Sequence, residues 1–200
     1  MKLLKEYKNF EYEILKEETE GQKGKLFLKG IIQRADALNA NGRIYPRDIL
    51  FREIENYRRL VSDRRAIGCL DHDDSATVDL KNVSHIITDV WTEGDTVYGK
   101  VEILPTPMGE IARGLIESNV KIGISSRALG TVRNNGSADV VQNDLHMICW
   151  DLVSDPSTQN AFMMKESKEY DPSIIKHIFS KEDRVYRALN DILSITKPNK

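Results

Sequence analysis

The sequence is short of the features that would mark a secreted, membrane-spanning or nucleic-acid-binding chain. Its 200 residues include two cysteines, Cys69 and Cys149. Two thiols can build neither a disulfide framework nor a zinc cage. They are expected to be buried thiols in a reducing compartment. No apolar run approaches the roughly 18 residues that a membrane span needs. The N-terminus is charged throughout and lacks the apolar core of a signal peptide. The 29 basic and 31 acidic residues are interspersed and leave a net charge of −2. That balance gives no electrostatic footprint for nucleic acid or an anionic membrane. Internal repeats and low-complexity tracts are absent as well. A cytosolic chain is expected, with no nucleic-acid partner and no membrane span.

Enough apolar residues remain, 40% of the total, to fill the core of one domain of this length. Residues 9–16 and 25–34 read as strands, and polar Glu17 to Gly24 as a turn or mobile loop. Asn39 to Gly42 is a turn. Pro46 stands where a helix begins, and Ile49, Leu50, Ile54, Tyr57, Leu60 and Val61 recur at helical spacing. Ala66 to Leu70 is a short apolar run. Val83 to Trp91 and Val97 to Leu104 flank Glu93-Gly94-Asp95, the pattern of a hairpin. Pro107 opens a second helix reaching about Ser118. Val120 to Ser126 and Val140 to Val153 read as strands, with a turn at Asn134 to Gly136 between them.

The composition changes after Asp155-Pro156-Ser157. A polar stretch follows, and then short helices near 172–179 and 181–195. The expected organisation is a domain over residues 1–157 and a helical C-terminal segment over 158–200 that docks or is removed. Consecutive antiparallel strands with inserted helices predict an α+β fold whose sheet is closed or partly closed into a barrel.

Two segments could carry chemistry. In Lys121-Ile-Gly-Ile-Ser125-Ser126-Arg127-Ala-Leu-Gly130, an apolar run ends in two hydroxyls and a fixed cation. A strand end is a rigid mount for a serine nucleophile, which also needs a nearby base. Read locally, the same residues fit an ordinary turn. In Gly68-Cys-Leu-Asp71-His72-Asp73-Asp74, a histidine lies among carboxylates. It could act as a general base. With Asp71, Asp73 and Asp79 it could instead form the cluster of a metal-dependent hydrolase. A solvated acidic loop is the third reading. His146 is a reserve candidate, whereas His85 reads as a sheet residue and His177 as a surface one. Asp151 could orient a histidine as the acid of a Ser-His-acid triad, or merely cap the turn that follows.

Taken in order, these segments carry a resemblance. Asn41-Gly-Arg-Ile-Tyr-Pro46, Gly68 to His72, Ala76-Thr-Val-Asp79, Asp89-Val-Trp91, Asp95 to Gly99 and Gly123 to Gly130 resemble the prohead core proteases of T-even-like tailed phages. That family is related in fold to the herpesvirus assemblin proteases. The chain departs from it at Asp73, where proline is common.

The resemblance implies a serine endopeptidase with His72 as base and Ser125 as nucleophile, Ser126 being the alternative. Asp151 is the favoured third member over His146 or Asp79. Strand alternation puts Asp151 and His146 on opposite faces, so one of them alone can serve. Arg127 and Ser126 are expected near the substrate. Backbone N–H groups around Ser154 to Ser157 are expected to meet the oxyanion. No cofactor and no metal are implied.

The implied substrates are phage scaffold, core and capsid precursor proteins, cut after glutamate with Leu or Ile two residues earlier. The chain itself is another, with Leu15-Lys16-Glu17 and Leu115-Ile116-Glu117 as candidate sites. The implied location is the host cytoplasm, inside the immature capsid, where a homo-oligomer is possible. An inert scaffold component that keeps the fold without the chemistry is the rival reading.

Overall fold

The computed structural model describes residues 1–9, 12–19, 22–154 and 172–196. The chain forms β1 (Lys2–Asn9), β2 (Tyr12–Thr19), β3 (Gln22–Arg34), β4 (Arg43–Ile44), α1 (Arg47–Ser62), β5 (Ile67–Cys69), β6 (Val83–Glu93) and β7 (Thr96–Ile103). It continues through α2 (Pro107–Glu117), β8 (Ile122–Gly130), β9 (Val132–Asn134), β10 (Asp139–Val141), β11 (His146–Ser154), α3 (Ile175–Ile178) and α4 (Lys181–Thr196). The architecture is α+β with mostly antiparallel pairing. The barrel expectation is corrected: the strands form three sheets, in orders β1-β8-β11, β4-β10-β9 and β2-β3-β7-β6-β5. An isolated parallel bridge, Leu70 to Leu152, carries the end of β5 across to β11.

The helices form where periodicity and caps agree. Pro46 precedes α1, and Ile49, Leu50, Ile54 and Tyr57 on one face of it are buried. Thr106 caps α2 by accepting a hydrogen bond from Gly109 N–H, and Pro107 fills its first turn. The core joins Leu26, Leu28 and Ile32 of β3, the α1 face, Ile87, Val101, Ile124 and Trp150. Every residue of β8 is buried, as befits a central strand.

Three expectations about the strands change. Residues 2–9 are a strand that pairs throughout with β8. Leu4 and Glu6 are buried among its described side chains. The Glu6 carboxylate accepts hydrogen bonds from Asn39, Asn41, Arg43 and Tyr45 at 2.6 to 2.8 Å. The loop from Asn39 to Tyr45 therefore clamps β1 onto the sheet. The stretch expected as a loop before Gly24 belongs to the β2–β3 hairpin, with Thr19 opposite Gln22. The expected strand from Val140 is divided into β10 and β11 by a turn in which Leu145 N–H bonds Gln142 O. The polar segment after Asp155 lies outside the described residues.

Helix α4 packs on α1 through polar groups. Arg65 forks onto Asp183 at 3.0 and 3.1 Å, and Arg187 donates to Glu53 at 2.7 Å. Asn190 donates to Asn56 at 3.1 Å.

His85 of β6 is fully buried. Its Nε2 lies 3.0 Å from Trp150 O and its Nδ1 2.8 Å from the Ser84 hydroxyl. Those partners suit the neutral ring, with Nε2–H donating and Nδ1 accepting. Burial lowers its pKa from 6.5 to about 4. Above pH 6.5 both the folded and unfolded states hold the ring neutral. Below it the unfolded chain takes up a proton that the folded chain refuses. Stability should therefore fall as pH drops from 6.5 towards 4, by up to about 3 kcal/mol. Urea unfolding at pH 7 and pH 4.5 measures this, and an equal midpoint at both would contradict it.

Candidate active site

The site is assembled from two adjacent strands and one loop. Ser125 of β8 and Asp151 of β11 stand directly opposite each other in the antiparallel register. Opposed residues project to the same face of a sheet, about 5 Å apart. His72 comes from the loop that leaves β5. Asp71 turns the chain there with φ of 67°, its N–H bonds Leu152 O at 2.7 Å, and its carboxylate accepts from His72 N–H at 2.9 Å. This turn lays the imidazole across the Ser125–Asp151 pair. Its Nδ1 is 2.8 Å from Asp151 Oδ2 and its Nε2 is 2.5 Å from Ser125 Oγ. With a carboxylate on one side, Nδ1 carries the proton and Nε2 is left to accept from the serine hydroxyl.

Asp151 has no exposed surface. Its second oxygen accepts from Cys69 N–H at 2.9 Å and from Cys149 Sγ–H at 3.4 Å. Arg127 meets both oxygens, with Nε 3.0 Å from Oδ2 and Nη2 3.2 Å from Oδ1. Burial alone would raise the carboxyl pKa. The His72 hydrogen bond, the Arg127 charge and the Cys69 N–H outweigh burial and hold it below its usual value. Both thiols are free and buried, and burial raises their pKa.

The other sequence candidates do not take part in the Ser125–His72–Asp151 line. Ser126 points to the opposite face, and its buried hydroxyl has no hydrogen-bond partner. Arg127 is fully buried and spends its guanidinium on interior acceptors. His146 sits opposite Leu129, four residues along β8 from Ser125, with its Nδ1 3.2 Å from Arg187. The alternation argument that separated it from Asp151 does not hold, because the register shifts between Met147 and Cys149. Register position is what selects Asp151. Asp79 caps a short 3₁₀ turn by accepting from Lys81 N–H.

The side chains of the rival metal cluster are not grouped together. Asp71 is used in the turn, both His72 nitrogens are engaged, and Asp79 faces its own cap. Among the described residues no three His, Cys, Asp or Glu side chains are grouped to hold a metal ion. Of the expected oxyanion segment, residues 155–157 lie outside the described residues. Ser125 has no exposed surface and the His72 side chain is only 5% exposed.

Comparison with known proteins gives one consistent result. A family model described as prohead core protein serine protease matches residues 10–171. A prohead core protein protease of Enterobacteria phage T4 is 29% identical over 180 residues, spanning 86% of this chain and 83% of that protein. The solved structure of the bacteriophage T4 capsid assembly protease superposes with a TM-score of 0.72 at 29% identity, covering 78% of this chain and 98% of that one. Among the described residues no helix is long and apolar enough to cross a membrane.

Proposed function

The chain belongs to the prohead core protein serine protease family, and from that premise we propose that Ser125, His72 and Asp151 are its nucleophile, general base and orienting acid. The observation that carries this reading is the His72 ring, within hydrogen-bond reach of Ser125 Oγ and of Asp151 Oδ2 at once. As Ser125 Oγ attacks a peptide carbonyl, its proton passes to His72 Nε2. Asp151 keeps the proton on Nδ1 and stabilises the imidazolium, which then protonates the leaving amine. Water, deprotonated by the same ring, releases the acyl group from Ser125. Backbone N–H groups beyond Ser154 are the candidates for the oxyanion, since β11 runs from Asp151 straight into that segment.

The enzyme is a serine endopeptidase of prohead maturation. We assign it phage scaffold, core and capsid precursor proteins as substrates, acting inside the immature capsid of an infected cell. The relation of its fold to herpesvirus assemblin proteases belongs to the same proposal. So does the division into a protease domain over 1–157 and a docking or removable segment over 158–200; the polar contacts of α4 with α1 support docking. A homo-oligomer remains a compatible arrangement.

Of the two candidate self-cleavage sites, Leu15-Lys16-Glu17 lies in β2, paired with β3, and Leu115-Ile116-Glu117 lies in α2 with Ile116 buried. Either requires local unfolding before it can be cut. β2 is an outer strand of its sheet and is the easier of the two to open.

Peptides of the form Leu-x-Glu and Leu-x-Gln test the substrate reading. The glutamate peptide should be cleaved after Glu with kcat/KM at least about tenfold higher, the worth of one charge-assisted contact. Equal rates would contradict the specificity.

A further inference from the structure

The three segments that hold the site meet at one further side chain. Arg127 follows Ser125 by two residues on β8, so both project to the same face. It has no exposed surface. A buried guanidinium is costly unless its donors are paired; here Nη1 and Nη2 donate to two targets, and Nε sits in an ion pair without forming a hydrogen bond. Nε and Nη2 lie 3.0 and 3.2 Å from the two oxygens of Asp151. Nη1 donates to the carbonyls of Ser75 at 2.7 Å and Thr77 at 3.3 Å, in the loop that carries His72.

We propose that Arg127 is a positioning residue of the active site: it keeps the Asp151 carboxylate charged and ties the His72 loop to the strand of Ser125, without meeting substrate. The proposal rests on the triad reading above. Titratable groups are turned towards Asp151 from each element packed against it. His72 and the Cys69 and Cys149 thiols surround it from the loop, β5 and β11. Tyr57 faces it from α1 and His85 from β6. The two thiols and the Tyr57 hydroxyl have raised pKa values, and that of His85 is lowered, so these four are neutral at pH 7. Arg127 is the permanent cation of this group. Without it, the His72 and Cys69 hydrogen bonds would oppose burial alone and the carboxyl pKa would rise, towards a neutral form that cannot stabilise the imidazolium formed during attack.

Two variants of the full-length chain test this, with a cleavable peptide as substrate and the parent enzyme as reference. In Arg127→Met the acid limb of the kcat/KM profile should move to higher pH by at least about one unit. Arg127→Lys keeps the charge but loses the fork. Its acid limb should stay in place, with kcat at least about tenfold lower and KM within about twofold of the parent. The Lys variant alone decides the matter if the Met variant does not fold. A tenfold rise in KM with kcat unchanged would overturn the proposal in favour of a substrate contact. Parent-like profiles in both variants would overturn it outright. If Ser125→Ala is inactive while the Arg127 variants behave as the parent, this inference fails alone; an active Ser125→Ala variant removes the triad reading beneath it.

Discussion

Replacing Ser125 by alanine is expected to lower kcat/KM for peptide cleavage by about 10⁴-fold or more, while the thermal midpoint stays within a few degrees of the parent. The hydroxyl bonds His72 Nε2, and its loss removes one hydrogen bond, on the order of 1 kcal/mol. Chemistry depends on the same atom entirely, because no other group on that face of β8 can form the acyl intermediate. Ser126→Ala is the internal control. The two serines are neighbours on one strand and face opposite ways, and the Ser126 hydroxyl has no partner to lose. That variant should keep activity within about threefold of the parent, since substitutions that touch no reacting group have small effects. Inactivity in Ser126→Ala with activity in Ser125→Ala would reverse the assignment. His72→Ala and Asp151→Asn should each lose activity on a similar scale, and combining them with Ser125→Ala should add little, because triad members act as a unit.

The second large effect is on stability. Gly68 of β5 lies where a Cβ would overlap the Trp150 carbonyl oxygen and the His85 ring. Neither neighbour can retreat cheaply. The carbonyl is backbone of β11, and the ring is fixed by the Ser84 hydroxyl on one side and that same carbonyl on the other. Gly68→Ala is therefore expected to destabilise the fold by about 3 kcal/mol or more. It should also reduce activity, since the next residue, Cys69, supplies the N–H that holds Asp151. Gly114 on α2 is the matched comparison, with nothing near its added Cβ. Gly114→Ala should be neutral or stabilising by up to about 1 kcal/mol, because alanine is the better helix former. Chemical denaturation of both variants reads the difference. Equal stability of the two would show that β5 and β11 tolerate separation.

How much of this was legible in the sequence depended on whether a signal was local. The faces of α1 and α2 and the β6–β7 hairpin could be read because their apolar spacing and turn residues lie within one element. β1 escaped because one of its buried positions is Glu6, whose charge suggests solvent. The four donors that make its burial affordable lie 33 to 39 residues further on. The break between β10 and β11 was overlooked because apolar residues on both sides masked Asn143-Asp144, a polar pair typical of turns.

At the site, local sequence left Ser125 a turn serine and His72 a loop histidine. Resemblance brought them together as a pair. Counting alternate residues sets Asp151 and His146 on opposite faces, and the bulge at Met147 to Cys149 undoes that count. The inward aim of Arg127 carried no local signal, because the reach of a guanidinium depends on which strands and loops surround it.

The most direct test of the site is covalent labelling by a fluorophosphonate, which reports an activated serine rather than a mere hydroxyl. Trypsin releases Ile122 to Arg127 as one peptide containing both serines, and fragment masses distinguish them. The triad predicts an adduct on Ser125 that disappears in His72→Ala. An adduct on Ser126 or on another serine, or one on Ser125 that forms equally well without the imidazole, would contradict it.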